Sequence, residues 1–193
     1  MDDIVRQAMA KWPHVPACYG WLGLDARGQW WLRDAQAQAC GGFASGRAGA
    51  RGTLLRHEKL IDFIGRNYDA DARGCWYFQN GPQRVFVELE AAPWVWRLRC
   101  TEAQLELTAH TGALLAAADV QQAVLDDQGH LYLLLPRGLG LVHSQDMDDA
   151  ARALERGWLA EPEELPRSVL AERFGYRQSP QALEQATEML PDR

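Results

Sequence analysis

Five histidines, four cysteines and two acidic clusters are the residues of this chain whose types could do chemistry. His110, Asp126 and His143 are the kind of set a general acid–base site acting on a small molecule draws on, provided the fold gathers them from distant positions. Local spacing presets no other site. His14, His57, His110, His130 and His143 form no H-x-x-x-H pattern, and Cys18, Cys40, Cys75 and Cys100 form no C-x-x-C pair, so no metal centre is predicted. No G-x-S-x-G elbow occurs, and Cys18, Cys75 and Cys100 fall in apolar strand contexts typical of structural thiols. Cys40, followed by two glycines, reads as an exposed thiol with no neighbouring His or helix terminus to hold a thiolate. GRAGARG at 46–52 lacks both G-K-[ST] and G-x-G-x-x-G, so neither nucleotide fingerprint is present. Asp126-Asp127 reads as a turn, and Asp146 with Asp148 and Asp149 as a helix start, where carboxylates favour the dipole. No catalytic residue, metal or cofactor is assigned on these grounds.

The elements that must position such residues are strands first. CWYFQNGPQRVFVELEAAPWVWRLR, 75–99, reads as a β-meander whose Asn80-Gly81 pair supplies the two positive φ angles of a primed hairpin turn. Beyond it Val85, Val87 and Leu89 alternate with Arg84, Phe86, Glu88 and Glu90, and Trp94 and Trp96 alternate with Val95 and Arg97. CYGWLGLDARGQWWLR, 18–33, reads as a second hairpin turning through Asp25 and Gly28, and LELTAH, 105–110, as a further strand followed by a loop.

Helices are expected at the N-terminus, with Ile4, Val5, Ala8, Met9 and Trp12 on one face, and over 53–68, with Thr53 as cap and Leu54, Ile61, Ile64 and Tyr68 as the stripe. Residues 34–52, rich in Ala, Gln, Gly, Ser and Arg, are expected to be a mobile surface loop. DMDDAARALERGWL, 146–159, predicts a helix with Met147, Ala151, Leu154 and Trp158 inward. The tail after Trp158 reads as helical and strand-free, with Ser179 capping a last helix whose stripe is Leu183, Ala186 and Leu190. That stripe docks on this chain's own core or on a partner protein; the marginal stability of a short isolated helix favours the former.

LDARGQWWLR, 24–33, and LDDQGHLYLL, 125–134, share Leu, Asp, Gly and Leu in register, and each is followed, after an interval, by a stretch that reads as an amphipathic helix. Two origins fit: a duplicated hairpin-plus-helix unit, or one common way of turning a hairpin used twice. The fold class that follows is α+β, a mostly antiparallel twisted sheet flanked by helices with a helical C-terminal tail. Three regions are expected: 1–117 containing the meander, 118–158 as a second hairpin-plus-helix unit, and 159–193 as a helical extension.

Composition bounds the partners. The chain has 193 residues, 47% hydrophobic and 24% charged, with net charge -6 and only two lysines. That is enough to bury a sizeable core, and it gives neither nucleic acid nor an anionic membrane an electrostatic footprint. No apolar run approaches the roughly 18–20 residues a spanning helix needs. The cysteine usage and the absence of a basic segment followed by an apolar one predict a reduced, cytoplasmic protein. What stands out is eight tryptophans, which WVW and CWYF should present on both faces of the sheet.

MDDIVRQAMAKWP, CYGWLGLDARGQW, IGRNY, WYFQNGPQRVFVELE and the HTG of His110–Gly112 resemble an uncharacterised family of proteobacterial proteins of unknown function, over roughly Met1–Asp149. The order hairpin, helix, aromatic strand pair, V-x-V-x-L strand and threonine-glycine turn is more remotely similar to another family of unknown function. That second resemblance implies an α+β architecture built from repeated units and a regulatory role in signalling. On it, the Gly-rich loop and the tail after Trp158 are departures from the common pattern.

The function expected from all of this is a non-enzymatic, cytoplasmic binding or regulatory module for a protein partner or small ligand. Its binding surface would be an exposed aromatic sheet face at Trp76, Trp94, Trp96 and Arg97. The alternative is a small-molecule enzyme built on His110, Asp126 and His143.

Overall fold

The structure is a computed structural model that describes residues 1–189. Its contacts gather into two units, one of Met1–Asp25, Gln29–Glu90 and the chain from Tyr176 onward, the other of Ala26–Gly28 and Ala91–Gly175. The division falls between Glu90 and Ala91, inside the stretch that reads as one meander, whereas the sequence suggested boundaries near 117 and 158.

The first unit opens with helix α1 (Asp3–Lys11), tied down where Asp2 N–H donates to Asn67 Oδ1 at 2.8 Å. Of the stripe expected on it only Val5 is buried, and Ile4 and Trp12 face water. Strands β1 (Cys18–Leu24) and β2 (Trp30–Leu32) follow as a hairpin, then helix α2 (Ala35–Cys40), the short strand β3 (Thr53–Leu54) and helix α3 (Glu58–Arg66). Strands β4 (Tyr68–Ala70), β5 (Trp76–Asn80) and β6 (Gln83–Leu89) complete a six-stranded sheet in the order β3-β2-β1-β6-β5-β4, antiparallel except at β1 and β6.

Several expectations are corrected by this unit. Asn80 pairs with Gln83, so the two loop residues are Gly81 and Pro82, and the one positive φ is that of Gly81 at 57°. Glycine first and proline second is the pattern of a type II′ turn, in which proline's fixed negative φ fits the second position. The helix expected from Thr53 begins at Glu58, because His57 is its cap, its Nδ1 accepting Leu60 N–H at 3.2 Å, while Thr53 and Leu54 pair with β2 as a strand.

Residues 34–52 are ordered by packing. Asp34 caps α2 by accepting Ala37 N–H, Phe43 and Ala50 are buried, and the guanidinium of buried Arg33 donates to Ala50 O (2.8 Å), Gly20 O (3.1 Å) and Gly41 O (2.5 Å). One arginine fixes three points of a segment whose own side chains are too small to do so.

The second unit is built on strands β7 (Trp94–Cys100), β8 (Leu105–Ala109), β9 (Leu114–Leu115), β10 (Gln122–Asp126), β11 (Leu131–Leu135) and β12 (Gly138–Val142), followed by helix α4 (Met147–Glu155), strand β13 (Glu163–Leu165) and the single turn α5 (Leu170–Arg173). The seven-stranded sheet runs β13-β10-β11-β12-β7-β8-β9, with parallel pairs only at β12/β7 and β10/β13. The tail therefore contributes a strand where none was expected, and β9 lies in what read as a loop. Helix α4 turns Ala150 and Ala153 inward and leaves Ala151 exposed, so it approaches the sheet through small residues rather than through Met147, Leu154 and Trp158.

The chain returns to the first unit with helix α6 (Pro180–Glu188), which has the expected proline in its first turn. Ser179 Oγ accepts Ala182 N–H at 3.1 Å and donates to buried Glu88 at 2.5 Å, and Gln181 N–H donates to the same carboxylate at 3.0 Å. Leu183 packs on Tyr77, Phe86 and Cys75, so this helix docks within the chain; Leu190 lies outside the described residues.

The two hairpins compared in the sequence are equivalent in detail. Asp25 and Asp126 each donate N–H to the carbonyl four residues on (3.0 and 2.9 Å) and accept that residue's N–H on Oδ1 (2.8 Å in both). Gly28 and Gly129 close the turns at φ 77° and 80°. The same bonds recur at Asp71–Gly74, with Cys75 as the returning residue and Gly74 at φ 76°. Three copies, one of them in neither half of the proposed repeat, identify a shared turn chemistry, since the carboxylate occupies amides a turn leaves unpaired and glycine takes the left-handed position. After each hairpin a third antiparallel strand (β3, reached through α2, and β12) and then a helix (α3 and α4) follow, so the order hairpin, strand, helix recurs in the two units.

Candidate functional site

The tryptophans expected to form an aromatic surface are interior. Trp76, Trp94 and Trp96 are 9%, 3% and 0% exposed. Trp76 lies 4.8 Å from Tyr68, ring to ring. Trp94 and Trp96 stack at 5.4 Å, their indole N–H groups donating to Arg137 O and Leu133 O at 2.8 and 2.9 Å. Trp94 and Trp96, buried with satisfied N–H groups, are core, and none of the three indoles offers an exposed face. Arg97 is half exposed but forked onto Asp146, at 2.6 Å from Nε and 2.9 Å from Nη2. Burial disfavours the Asp146 charge, yet the bonds from Arg97 and from Leu98 N–H hold its carboxyl below the usual carboxylate range.

His110, Asp126 and His143 do not meet. His110 follows β8, His143 follows β12 and Asp126 ends β10, so strand order places two strand spacings between each neighbouring pair and four between the outer two. At about 4.8 Å per strand, Asp126 and His110 stand roughly 19 Å apart. Each has a local duty. Asp126 clamps its turn and accepts Tyr132 O–H at 3.1 Å, and His143 Nδ1 accepts Gln145 N–H at 3.1 Å to cap a 3₁₀ turn.

His110 tilts against Trp94 at 5.5 Å, and its Nδ1 accepts Val95 N–H at 3.3 Å, which requires the neutral ring. Burial pushes its pKa down to about 3. The unfolded chain takes up this proton near 6.5 and the folded one does not, so the stability His110 contributes is present above pH 6.5 and lost as pH falls below it. We expect acid unfolding of the second unit to steepen below pH 6.5, by less than about 1.4 kcal/mol per pH unit because the residue is not fully enclosed, and His110→Asn to flatten that dependence in pH-resolved urea melts.

An open site of the first unit is one the sequence did not single out. It is a groove of about 520 Å³ on the sheet face beneath α3, lined by Trp21, Leu32, Leu60, Ile64, Phe78 and Val85. Trp21 and Leu32 are 49% and 44% exposed, the large apolar side chains of this sheet that face water. Trp21 owes its position to a slip in the pairing of β1 with β6 between Cys18 and Leu22, where Gly20 has φ 77°. Such a bulge re-aims a side chain, and no alternation pattern announces it. Leu60 and Ile64 come from one face of α3, Phe78 and Val85 from cross-strand partners in β5 and β6.

The rim is polar, at Asp34, Thr53 and Asn80. Both charged lining residues are committed elsewhere: Arg33 to three carbonyls, and Asp34 to capping α2. A groove of this size and character can hold an apolar molecule and orient it by a few hydrogen bonds at the rim. Among the described residues no group of three or more His, Cys, Asp or Glu could hold a metal ion. All four cysteines are free thiols; Cys40 is half-buried rather than exposed, and burial pushes Cys75 up to about 11.

Fold and groove define an α+β protein of two mostly antiparallel sheets with helices against them and an open apolar groove in its first unit. The chain belongs to the DUF2944 family, described as a protein of unknown function (DUF2946), whose model matches residues 1–189. Membership extends past the Met1–Asp149 stretch on which the resemblance rested and takes in the tail after Trp158. No curated protein matches the chain. Among solved structures the chain is similar to a DUF1285 family protein from Shewanella baltica OS155, with 18% identity, 72% of this chain and 97% of that one covered, and a TM-score of 0.49. It is also similar to a DUF1285 family protein from Silicibacter pomeroyi DSS-3, with 13% identity, 70% and 68% covered, and a TM-score of 0.44. No helix among the described residues is long and apolar enough to cross a membrane.

Proposed function

We propose that this chain is a non-catalytic binding module whose first unit takes up a neutral, largely apolar small molecule in the groove beneath α3. The observation that carries this reading is the exposure of Trp21 and Leu32 at the mouth of a 520 Å³ apolar groove, since monomeric surfaces keep few large apolar side chains together in water without a use for them. Ligand charge follows from the lining. The Arg33 guanidinium is held on three protein carbonyls and Asp34 sits at the rim, so an anion is disfavoured there, whereas Thr53 and Asn80 can bond a hydroxyl or carbonyl. Binding of this kind suits a regulatory module that reports a metabolite, and the four unpaired cysteines support a cytoplasmic setting. The separation of His110, Asp126 and His143 favours binding over the acid–base alternative.

Native mass spectrometry of the chain purified from bacterial lysate tests this. The expected result is a retained small mass on the wild type and none on Leu32→Glu, which places a charge at the mouth without disturbing the core. A bare polypeptide in both would remove the proposal.

A further inference from the structure

On the face of the first sheet that carries Tyr77 and Phe86, a second cleft of about 450 Å³ has a different chemistry. Tyr77 is opposite Phe86 and Gln79 opposite Arg84, so these four share one face, and Tyr19 stacks on Phe86 at 4.6 Å with the rings 6° from parallel. Trp12, half exposed, forms one wall. Two guanidinium groups lie over this aromatic floor, Arg73 at 5.7 Å from the Phe86 ring and Arg84 at 4.8 Å from Tyr77.

The two arginines differ in what holds them. Arg73 is engaged by Asp71 at 3.0 Å, Glu184 at 3.3 Å and the Tyr19 hydroxyl at 3.4 Å. Arg84 has no carboxylate within ion-pair distance among the described residues, in a chain where acids outnumber bases by 26 to 20. A guanidinium stacked on a tyrosine is already oriented, with its N–H edge free for a planar anion. Gln79, fully buried beneath, donates Nε2–H to Gly81 O at 2.9 Å while its Oε1 has no partner among the described residues. A polar atom left unsatisfied in a native interior calls for an explanation, and a donor brought by a ligand is one.

We infer that this cleft is a binding site for a small aromatic carboxylate bearing an N–H donor, with its carboxylate on Arg84 and its ring against Trp12. The site is separate from the groove beneath α3 and opposite to it in charge preference, so either can fail without the other.

The test is an NMR titration of the full chain with indole-3-acetate, alongside its neutral counterpart indole-3-acetamide and inorganic phosphate. Saturable shifts at the amides around Trp12, Gln79 and Arg84 are expected with the acid. Loss of one charge-assisted contact should weaken binding about tenfold or more, both for the amide and for Arg84→Gln. Arg84 is exposed, so that variant keeps its fold, which its unshifted spectrum elsewhere verifies. No saturable shift in the cleft, equal binding of the amide, or unchanged binding by Arg84→Gln would overturn the assignment. So would phosphate binding as tightly as the acid, which would mark an anion contact without an aromatic subsite.

Discussion

Trp96→Ala is expected to lower the stability of the second unit by about 3–5 kcal/mol, the largest effect of any single substitution in that unit. Trp96 has no exposed surface and stands in β7, between β12 and β8 in the sheet. Its truncation removes the stack on Trp94, leaves Leu133 O without its 2.9 Å donor, and opens a void that a sheet paired on both sides cannot close. The site is also tight in the other direction. A Cβ on Gly140 would stand 2.2 Å from the Trp96 indole nitrogen, so Gly140→Ala must displace the ring and should cost about 1–3 kcal/mol by overpacking. Urea unfolding followed by hydrogen exchange at amides of β7, β11 and β12 measures both. A loss under about 1 kcal/mol for Trp96→Ala would mean that the indole is not core and would return it to the role of a surface residue.

Arg33→Met should cost the first unit about 3–5 kcal/mol and free residues 34–52. Methionine fills much of the volume but donates nothing, so the carbonyls of Ala50, Gly20 and Gly41 lose their donor together. Arg33→Lys should not rescue, because an ammonium on a flexible stem cannot meet three carbonyls set around a planar fork. Limited trypsinolysis gives the direct reading. In the wild type Arg47 and Arg51 lie in a segment pinned at both ends, and in the variant cleavage there should become the first event. A cleavage pattern unchanged by Arg33→Met would show that burial of Phe43 and Ala50 alone holds the segment.

These two residues also mark where the sequence could be read and where it could not. Turns were legible, because Asp-x-x-Gly carries its own chemistry: the carboxylate and the left-handed glycine specify the hairpin without help from the rest of the chain. The cap and first-turn proline of α6 were legible for the same reason. Faces were not. Alternation identifies one buried side of a strand, and it assigns the other side to water whenever polar residues occur there. Glu88 and Gln79 fall on such apparent water faces and are 2% and 0% exposed, the first bonded to Ser179 and Gln181 from a helix about ninety residues away. For the same reason WVW looked like a candidate surface when Trp94, Val95 and Trp96 are all buried in an interior strand.

Segment 34–52 shows the second limit. Its order comes from one arginine outside it, and composition within a window cannot register a long-range anchor. Strand β13 and the return of α6 are long-range pairings of the same kind, invisible to any local pattern. The groove itself was half legible. Trp21 was seen as one of several aromatic strand positions, but its exposure depends on a slip of register at Gly20, and only the pairing of β1 with β6 reveals that.

Binding of a neutral apolar molecule in the groove beneath α3 is read most directly by a fluorescence titration with N-phenyl-1-naphthylamine, an uncharged apolar probe of suitable size. A saturable enhancement at one probe per chain is expected for the wild type, lost in both Trp21→Glu and Leu32→Glu while the melting temperature is kept, because both side chains are already half in water. No saturable enhancement, or an enhancement that survives both substitutions, would contradict it.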